Sequence, residues 1–330
     1  MNKSKPFLKW VGGKTQLLPD ISEHFPTEIN NYHEVFLGGG SVLFHLLDKI
    51  NVGEIILNGN IYAYDYNVNL INVYKHIQTE PDNLFKEIMK HKNKLSSLAD
   101  EGKTFLGKGR IKKFPETVED SLLSRESYYY WQRDWYNKLD TCLEKSALFI
   151  FLNKICFRGV YREGPHGFNV PYGGHIGKDK KEEKDEKDEK DVKDKKDKKI
   201  PEIITLKYLK DASELLKKVI FESCDFKESF KNIKLGDFVY LDPPYAPENS
   251  KSFVGYNEGG FDLECHNDLL KLCNGLTDKK ISFMMSNASV KLIQDSFEIT
   301  EHYIIEVNAR RSINSKNPEA KTKEVIITNY

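Results

Sequence analysis

The chain has 330 residues, 39% hydrophobic and 12% aromatic, enough to bury a large core in one big or two modest domains. Fifty Lys and Arg balance fifty Asp and Glu, so net charge gives no reason to expect a nucleic acid partner, and any positive field for one has to be local. Five scattered cysteines without a Cys-x-x-Cys pair fit reduced thiols inside a cell and argue against a zinc site, while no apolar run approaches the roughly 18 residues of a spanning helix.

The amino terminus has no apolar signal region, so a cytoplasmic location is expected, with no membrane partner. Pro6-Phe7-Leu8-Lys9-Trp10-Val11-Gly12-Gly13-Lys14-Thr15 ends in Gly-Lys-Thr. A phosphate loop needs a glycine where Leu8 stands and a strand before it, so a nucleoside triphosphate site is rejected. What remains is the Trp10 ring, a flexible Gly-Gly and the Lys14 cation leading into a helix over about 15–24. That set suits a small zwitterionic ligand; a tucked segment with a core Trp is the alternative.

Val35-Phe36-Leu37-Gly38-Gly39-Gly40-Ser41-Val42-Leu43 reads as a strand, a glycine turn and a helix to about residue 48. The glycines let a ligand approach the backbone, and the helix amino terminus favours an anionic group. A dinucleotide fingerprint needs a third glycine at position 43, which is Leu. A second strand ends in Asp65, 25 positions after Gly40 (65 minus 40). Nucleotide-binding α/β units place a ribose-binding carboxylate at about that spacing, which points to an adenosine-containing cofactor. A helix over about 68–76 follows.

Residues 81–98 have helical period and a polar character. Gly107–Lys113 is a basic loop, read as solvated surface with a phosphate contact as the alternative. A helix over about 127–139 carries Trp131 and Trp135 four apart on one face, where core packing is expected. Residues 146–155 form an apolar helix. Around Gly164-Pro165-His166-Gly167 lie short β-prone arms, so 153–173 reads as a hairpin. Arg158 and Arg162 alternate there with Phe157, Val160 and Tyr161. Arginine can pair bidentately with guanine, and apolar side chains can wedge between bases. A structural hairpin with paired arginines is the alternative.

Lys178–Lys199 holds 11 Lys, 10 Asp or Glu and one Val, without apolar period, and is read as a disordered insertion. A helix over about 206–218 and a strand ending near Asp225-Phe226 follow. Val239-Tyr240-Leu241 is a buried strand that stops at Asp242-Pro243-Pro244-Tyr245. Open α/β sheets bind ligands beyond the carboxyl ends of their strands, and paired prolines stiffen the backbone there. An acid, a free carbonyl and a flat ring suit a slot for a planar group with an exocyclic amine; a strand end followed by a plain turn is the alternative. A helix over about 263–276 is expected to pack Leu263, Leu269, Leu270, Leu272 and Leu276 inward. A strand over about 281–285 runs into Ser286-Asn287. Strands over about 304–307 and 324–328 are expected to be antiparallel, with Arg310-Arg311-Ser312 between them. Alternating strands and helices make the fold class α/β.

Taken together, these motifs resemble the D12-class, α-group DNA adenine-N6 methyltransferases, the family that methylates GATC and related short sites. The resemblance covers nearly the whole chain apart from Lys178–Lys199. It implies a Rossmann-like S-adenosylmethionine-dependent methyltransferase sheet with a small helical and β-hairpin DNA-recognition domain inserted. The catalytic domain would span 1–76 and 200–330, and the recognition domain 77–177. The family's cofactor site would use Trp10, Gly12, Lys14, Phe36, Gly38, Gly40, Ser41, Asp65, Asp225 and Asp242, releasing S-adenosylhomocysteine. Asp242, Pro243, Pro244 and Tyr245 match its catalytic motif. Double-stranded DNA would meet Phe157, Arg158, Val160, Arg162, Asn169, Pro171, Arg310 and Arg311.

Arg158 departs from the Asn usual in GATC enzymes, and the Arg-Gly-Val-Tyr-Arg-Glu-Gly-Pro hairpin looks closer to relatives that methylate CATG. The chemistry so implied flips the adenine out of the duplex, stacks it on Tyr245 and uses no metal. A cognate restriction endonuclease and a monomer or weak dimer are expected. Two other readings stay open: methylation of RNA adenine or a protein amide, and a non-catalytic DNA-binding relative. The long hairpin speaks against the first, and intact Asp65, Asp242 and Tyr245 against the second.

Overall fold

The computed structural model describes residues 5–99, 114–173, 200–246, 261–297, 300–310 and 321–330. The Gly107–Lys113 loop, the Lys178–Lys199 run, Arg311 and Ser312 lie outside them.

Seven strands form one sheet: β1 (Tyr32–Glu34), β2 (Ile61–Asp65), β3 (Val219–Ser223), β4 (Phe238–Leu241), β5 (Ser282–Ala288), β6 (Tyr303–Arg310) and β7 (Lys321–Thr328). Their spatial order is β3-β2-β1-β4-β5-β7-β6. This is the doubly wound order 3-2-1-4-5-6 with one strand added between the fifth and sixth. β1 to β5 pair in parallel, and β7 runs antiparallel to both β5 and β6. All four residues of β4 are buried, the pattern of a parallel strand covered on both faces.

Seven longer helices accompany the strands: α1 (Ser41–Asn51), α2 (Val68–Thr79), α3 (Pro81–Ser96), α4 (Arg125–Lys138), α5 (Leu143–Ile155), α6 (Leu206–Leu216) and α7 (Leu263–Asp278). The chain divides into two compact units. The first comprises Met1–Pro6, Gly12–Lys75 and Glu214–Tyr330, and the second Phe7–Val11 and His76–Ser213.

In the first unit, α7 buries Leu269, Leu270, Cys273 and Leu276 in a cluster with Val239, Leu241, Phe283, Met285, Val325 and Ile327 of the sheet. Leu263, expected inward, is 42% exposed. It is the first residue of α7, after the Asp262 cap, where the chain is only beginning to turn onto the core. Ser286 also differs from expectation: it lies inside β5, opposite Ile326, with its hydroxyl 3.0 Å from Tyr240 Oη. At the opposite ends of β1 and β4, buried His33 and Asp237 meet at 3.1 Å, and Asn31 donates to the same carboxylate. That network joins the two strands away from the carboxyl-end loops.

In the second unit, α3 buries Leu84, Ile88, His91 and Leu95 on one stripe. α5 is buried almost all round from Ser146 to Asn153, as its apolar sequence requires. α4 starts from the Ser124 cap, whose hydroxyl accepts from Ser127 N–H, and buries Tyr128, Tyr129, Gln132 and Tyr136. The expectation for its tryptophans is corrected at Trp135, while Trp131 is half-buried. Trp135 is 43% exposed, and its indole N–H donates to Glu144 at 2.9 Å. The tyrosine stripe is longer and takes the inward face. The expected hairpin pairs Glu163–Gly164 with Gly167–Phe168, and Cys156 bridges to Tyr172.

Candidate active site

The site in the first unit is assembled at the carboxyl ends of β1, β2 and β4. After β1 the chain turns through Phe36 to Gly40 and enters α1. Gly40 has φ of 70°, and a Cβ there would stand 2.5 Å from the Tyr74 hydroxyl, so only glycine fits. Tyr74 in turn donates to the Gly38 carbonyl at 3.1 Å. Asp65, the last residue of β2, accepts from Gly38 N–H and Asn67 N–H, both at 2.9 Å. Burial raises its pKa above the ordinary aspartate value, and those two N–H groups oppose the rise. A carboxylate so fixed beside a glycine turn can accept from a pair of hydroxyls.

Next to that turn, the Phe36 ring stacks on Phe226 at 5.9 Å and meets Phe261 edge-on at 5.8 Å. Asp225 caps the short helix Phe226–Ser229 by accepting from Lys227 N–H. A flat heterocycle could lie against these rings.

Asp242 follows β4 directly. Its Oδ1 stands 2.6 Å from Lys14 Nζ, and both side chains are largely buried. Lys14 is held from three sides: its N–H donates to Ser41 Oγ at 3.1 Å, its ammonium donates to the Gly12 carbonyl at 2.8 Å, and it lies 4.7 Å from the Tyr245 ring centre. Burial pushes the Asp242 carboxyl above the usual range, and the Lys14 charge pulls it part of the way back. Pro243 is buried and Pro244 exposed. Tyr245 donates to Glu324 on β7, and the next residue, Ala246, donates its N–H to Asn287 at 3.1 Å. The tetrapeptide is thus tied to β5 and β7.

The first unit therefore brings together Gly12, Lys14, Phe36, Gly38, Gly40, Ser41, Asp65, Asp225 and Asp242 to Tyr245. Trp10 belongs instead to the second unit, where it stacks on Tyr161 at 5.2 Å. Glu324, Asn287 and Glu34 escaped sequence reading. Glu34 ends β1, accepts from Tyr32 Oη at 2.8 Å, and is pushed up to about 8 by burial. An acid four residues before Gly38, at the end of the strand that leads into the glycine turn, was its only signal; Glu324 and Asn287 had none.

Among the predicted DNA contacts, Phe157, Arg158, Arg162, Asn169 and Pro171 are exposed, and Val160 is half-buried. Arg158 has φ of 59°, and its guanidinium lies 5.1 Å from the Phe157 ring centre. Arg162 Nε donates to Asn169 Oδ1 at 2.8 Å. Tyr161 turns inward onto Phe149 and Phe168. Arg310 ends β6, and Arg311 falls outside the described residues.

A sheet of this order, with a glycine turn after its first strand and acids at the carboxyl ends of its second and fourth, is the Rossmann-like fold of an S-adenosylmethionine-dependent methyltransferase. The family model for the D12 class N6 adenine-specific DNA methyltransferases matches residues 10–313, and the chain belongs to that family. Similar proteins include the type II methyltransferase M.MjaIII of Methanocaldococcus jannaschii, 35% identical over 99% of each chain. The DNA adenine methylase of Haemophilus influenzae is 28% identical over 98% of this chain and 93% of its own. The DNA adenine methylase of Escherichia coli is 26% identical over 100% and 96%. Among the described residues, no helix is long and apolar enough to cross a membrane.

Membership of this family implies S-adenosylmethionine as methyl donor. The residues present fit that group: the fixed Asp65 carboxylate suits ribose hydroxyls, the Phe36 and Phe226 rings suit adenine, and the glycine turn admits close approach.

Proposed function

We propose that this chain methylates N6 of an adenine flipped out of a short duplex site of CATG or GATC type, with Asp242, Pro243, Pro244 and Tyr245 as the residues that handle the base. The observation that carries the reading is the Asp242 carboxylate at the end of β4, buried, paired with Lys14 and followed two residues on by the ring of Tyr245. An adenine amino nitrogen is a poor nucleophile because its lone pair is delocalised into the ring. The Asp242 carboxylate and the Pro243 carbonyl accept its two N–H bonds and localise that pair on nitrogen. Tyr245 stacks on the ring and fixes its plane. Positioning and electrostatics then supply most of the rate.

S-adenosylmethionine, when bound, supplies an electrophilic methyl group on a sulfonium centre. Asp65 would hold its ribose, Phe36 and Asp225 its adenine end, and Gly38, Gly40 and Ser41 would line the turn beside it. Gly12, Lys14 and Asp242 would face its amino-acid end. Trp10 is assigned to the same ligand on its motif alone.

Base identity is proposed to be read by the hairpin of the second unit. Its exposed Arg158 and Arg162 would contact guanine, and Phe157 would act as the wedge, with Val160, Asn169 and Pro171 shaping the loop. Arg310 and Arg311 are assigned to DNA on their motif alone. The type II methyltransferase among the relatives supports a partner restriction endonuclease.

The test is to treat unmethylated duplex DNA with the protein and S-adenosylmethionine and to sequence N6-methyladenine positions. Methylation confined to one short motif, and lost in Asp242→Ala while cofactor binding persists, supports the reading. Full turnover in Asp242→Ala overturns it.

A further inference from the structure

Glu87 and His91 are one turn apart on α3, and Glu144 lies in the first turn of α5. One oxygen from each carboxylate and one nitrogen of His91 all lie within 4.8 Å of one another. His91 is 2% exposed, and its Nε2 is buried without a hydrogen-bond partner. The nearest carboxylate oxygen, Glu87 Oε1, is 3.5 Å away. A buried ring nitrogen without a hydrogen bond, on a residue clustered with two carboxylates, is a group short of a cation.

We infer that Glu87, His91 and Glu144 form a site for one divalent transition-metal ion, zinc in the first instance, that ties α3 to α5 within the second unit. The imidazole excludes magnesium and calcium as preferred occupants, and two carboxylates with one imidazole suit zinc. Ligand atoms bound to a common zinc at about 2 Å lie roughly 3.3 Å apart. The His91–Glu87 separation is already close to that, and the Glu144 oxygen lies within 4.8 Å of both, so binding an ion draws the carboxylates inward. The surrounding contacts have the form of an outer shell. Tyr128 Oη stands 3.3 Å from His91 Nδ1 and fixes the ring, and Trp135 N–H orients Glu144.

Lys90 now donates to Glu87 Oε1 at 2.7 Å, but its side chain is 65% exposed, and such a pair is weak enough to yield to a divalent ion. The cysteines play no part. The signal was absent from the cysteine spacing because the ligands come from two helices with α4 between them in the chain.

The experiment titrates the full-length, chelator-stripped protein with zinc alone, followed by calorimetry and thermal unfolding. Glu87→Gln and Glu144→Gln are the variants; each keeps side-chain shape at a partly exposed position. One equivalent bound with a raised melting temperature, weakened at least about tenfold in both variants, is the expected result. Cobalt should give a spectrum without thiolate charge-transfer bands and quench emission that disappears in Trp135→Phe. Equal zinc affinity in the wild type and both variants, no binding, or thiolate bands with cobalt would each overturn the assignment.

Discussion

Lys14 Nζ stands 2.6 Å from Asp242 Oδ1, so a lysine 228 positions earlier (242 minus 14) opposes the protonation that burial favours in the acid proposed to activate the amine. Burial alone would favour the protonated acid, a neutral and weaker acceptor for the amine N–H that leaves the nitrogen lone pair less localised. Activity should therefore fall as pH drops through the raised Asp242 pKa. Removing Lys14 removes the opposing charge, so the acid limb of kcat moves further up in Lys14→Met, by about one pH unit or more. The comparison is made at saturating cofactor, which separates this effect from any loss of binding. An acid limb that stays in place would show that Lys14 does not govern the charge of Asp242.

Tyr245 offers its ring to the base while its hydroxyl donates to Glu324. If stacking is its role, Tyr245→Phe keeps most activity and Tyr245→Ala loses it. Base–aromatic stacking contributes about 1–3 kcal/mol, so the Ala variant should lose roughly 5- to 150-fold in kcat/KM. Equal losses in both variants would assign the effect to the hydroxyl and its tie to Glu324.

What could be read from the sequence was local. Gly38 to Gly40, Asp65 and Asp242 announce themselves because a strand end, a turn and a functional group sit within a few residues. The contacts that fix those groups were not legible, because they join distant segments. Glu324 meets Tyr245 only because β7 inserts beside β5 in an antiparallel register that sets Glu324 opposite Ala288. Trp10 and Lys14 read as one motif, yet the chain passes between units after Val11. Trp135 of α4 misled because two periodic aromatic stripes compete on one helix, and burial follows the tyrosine stripe. The charged run and the segment after Arg310 lie outside the described residues.

Arg158 is exposed and adopts φ of 59°, a left-handed conformation that costs a non-glycine residue about 1 kcal/mol or more. An arginine placed there against its backbone preference is consistent with a role outside folding. Arg158→Gly should hold or raise the melting temperature, whereas Arg158→Ala should not raise it. Both should lose about 1–3 kcal/mol of discrimination at one base pair if the guanidinium reads guanine. Binding assays on the cognate site and single-base variants decide this. A loss equal on every sequence would make Arg158 a phosphate contact.

Glu34 gives a stability prediction independent of DNA. Its folded pKa is raised by burial from an ordinary 4.5 to about 8. The folded state therefore keeps this proton over a range where the unfolded chain releases it. The stabilising contribution is full below about pH 4.5 and is lost as pH rises through 8, with a slope of up to about 1.4 kcal/mol per pH unit. Glu34→Gln is neutral at every pH and can still accept from Tyr32 Oη. Denaturant unfolding of the two proteins between about pH 5 and 8 should show the wild type losing stability relative to the variant as pH rises. Parallel curves would mean that Glu34 is ionised in the folded protein and that its pairing with Tyr32 overcomes the cost of burial.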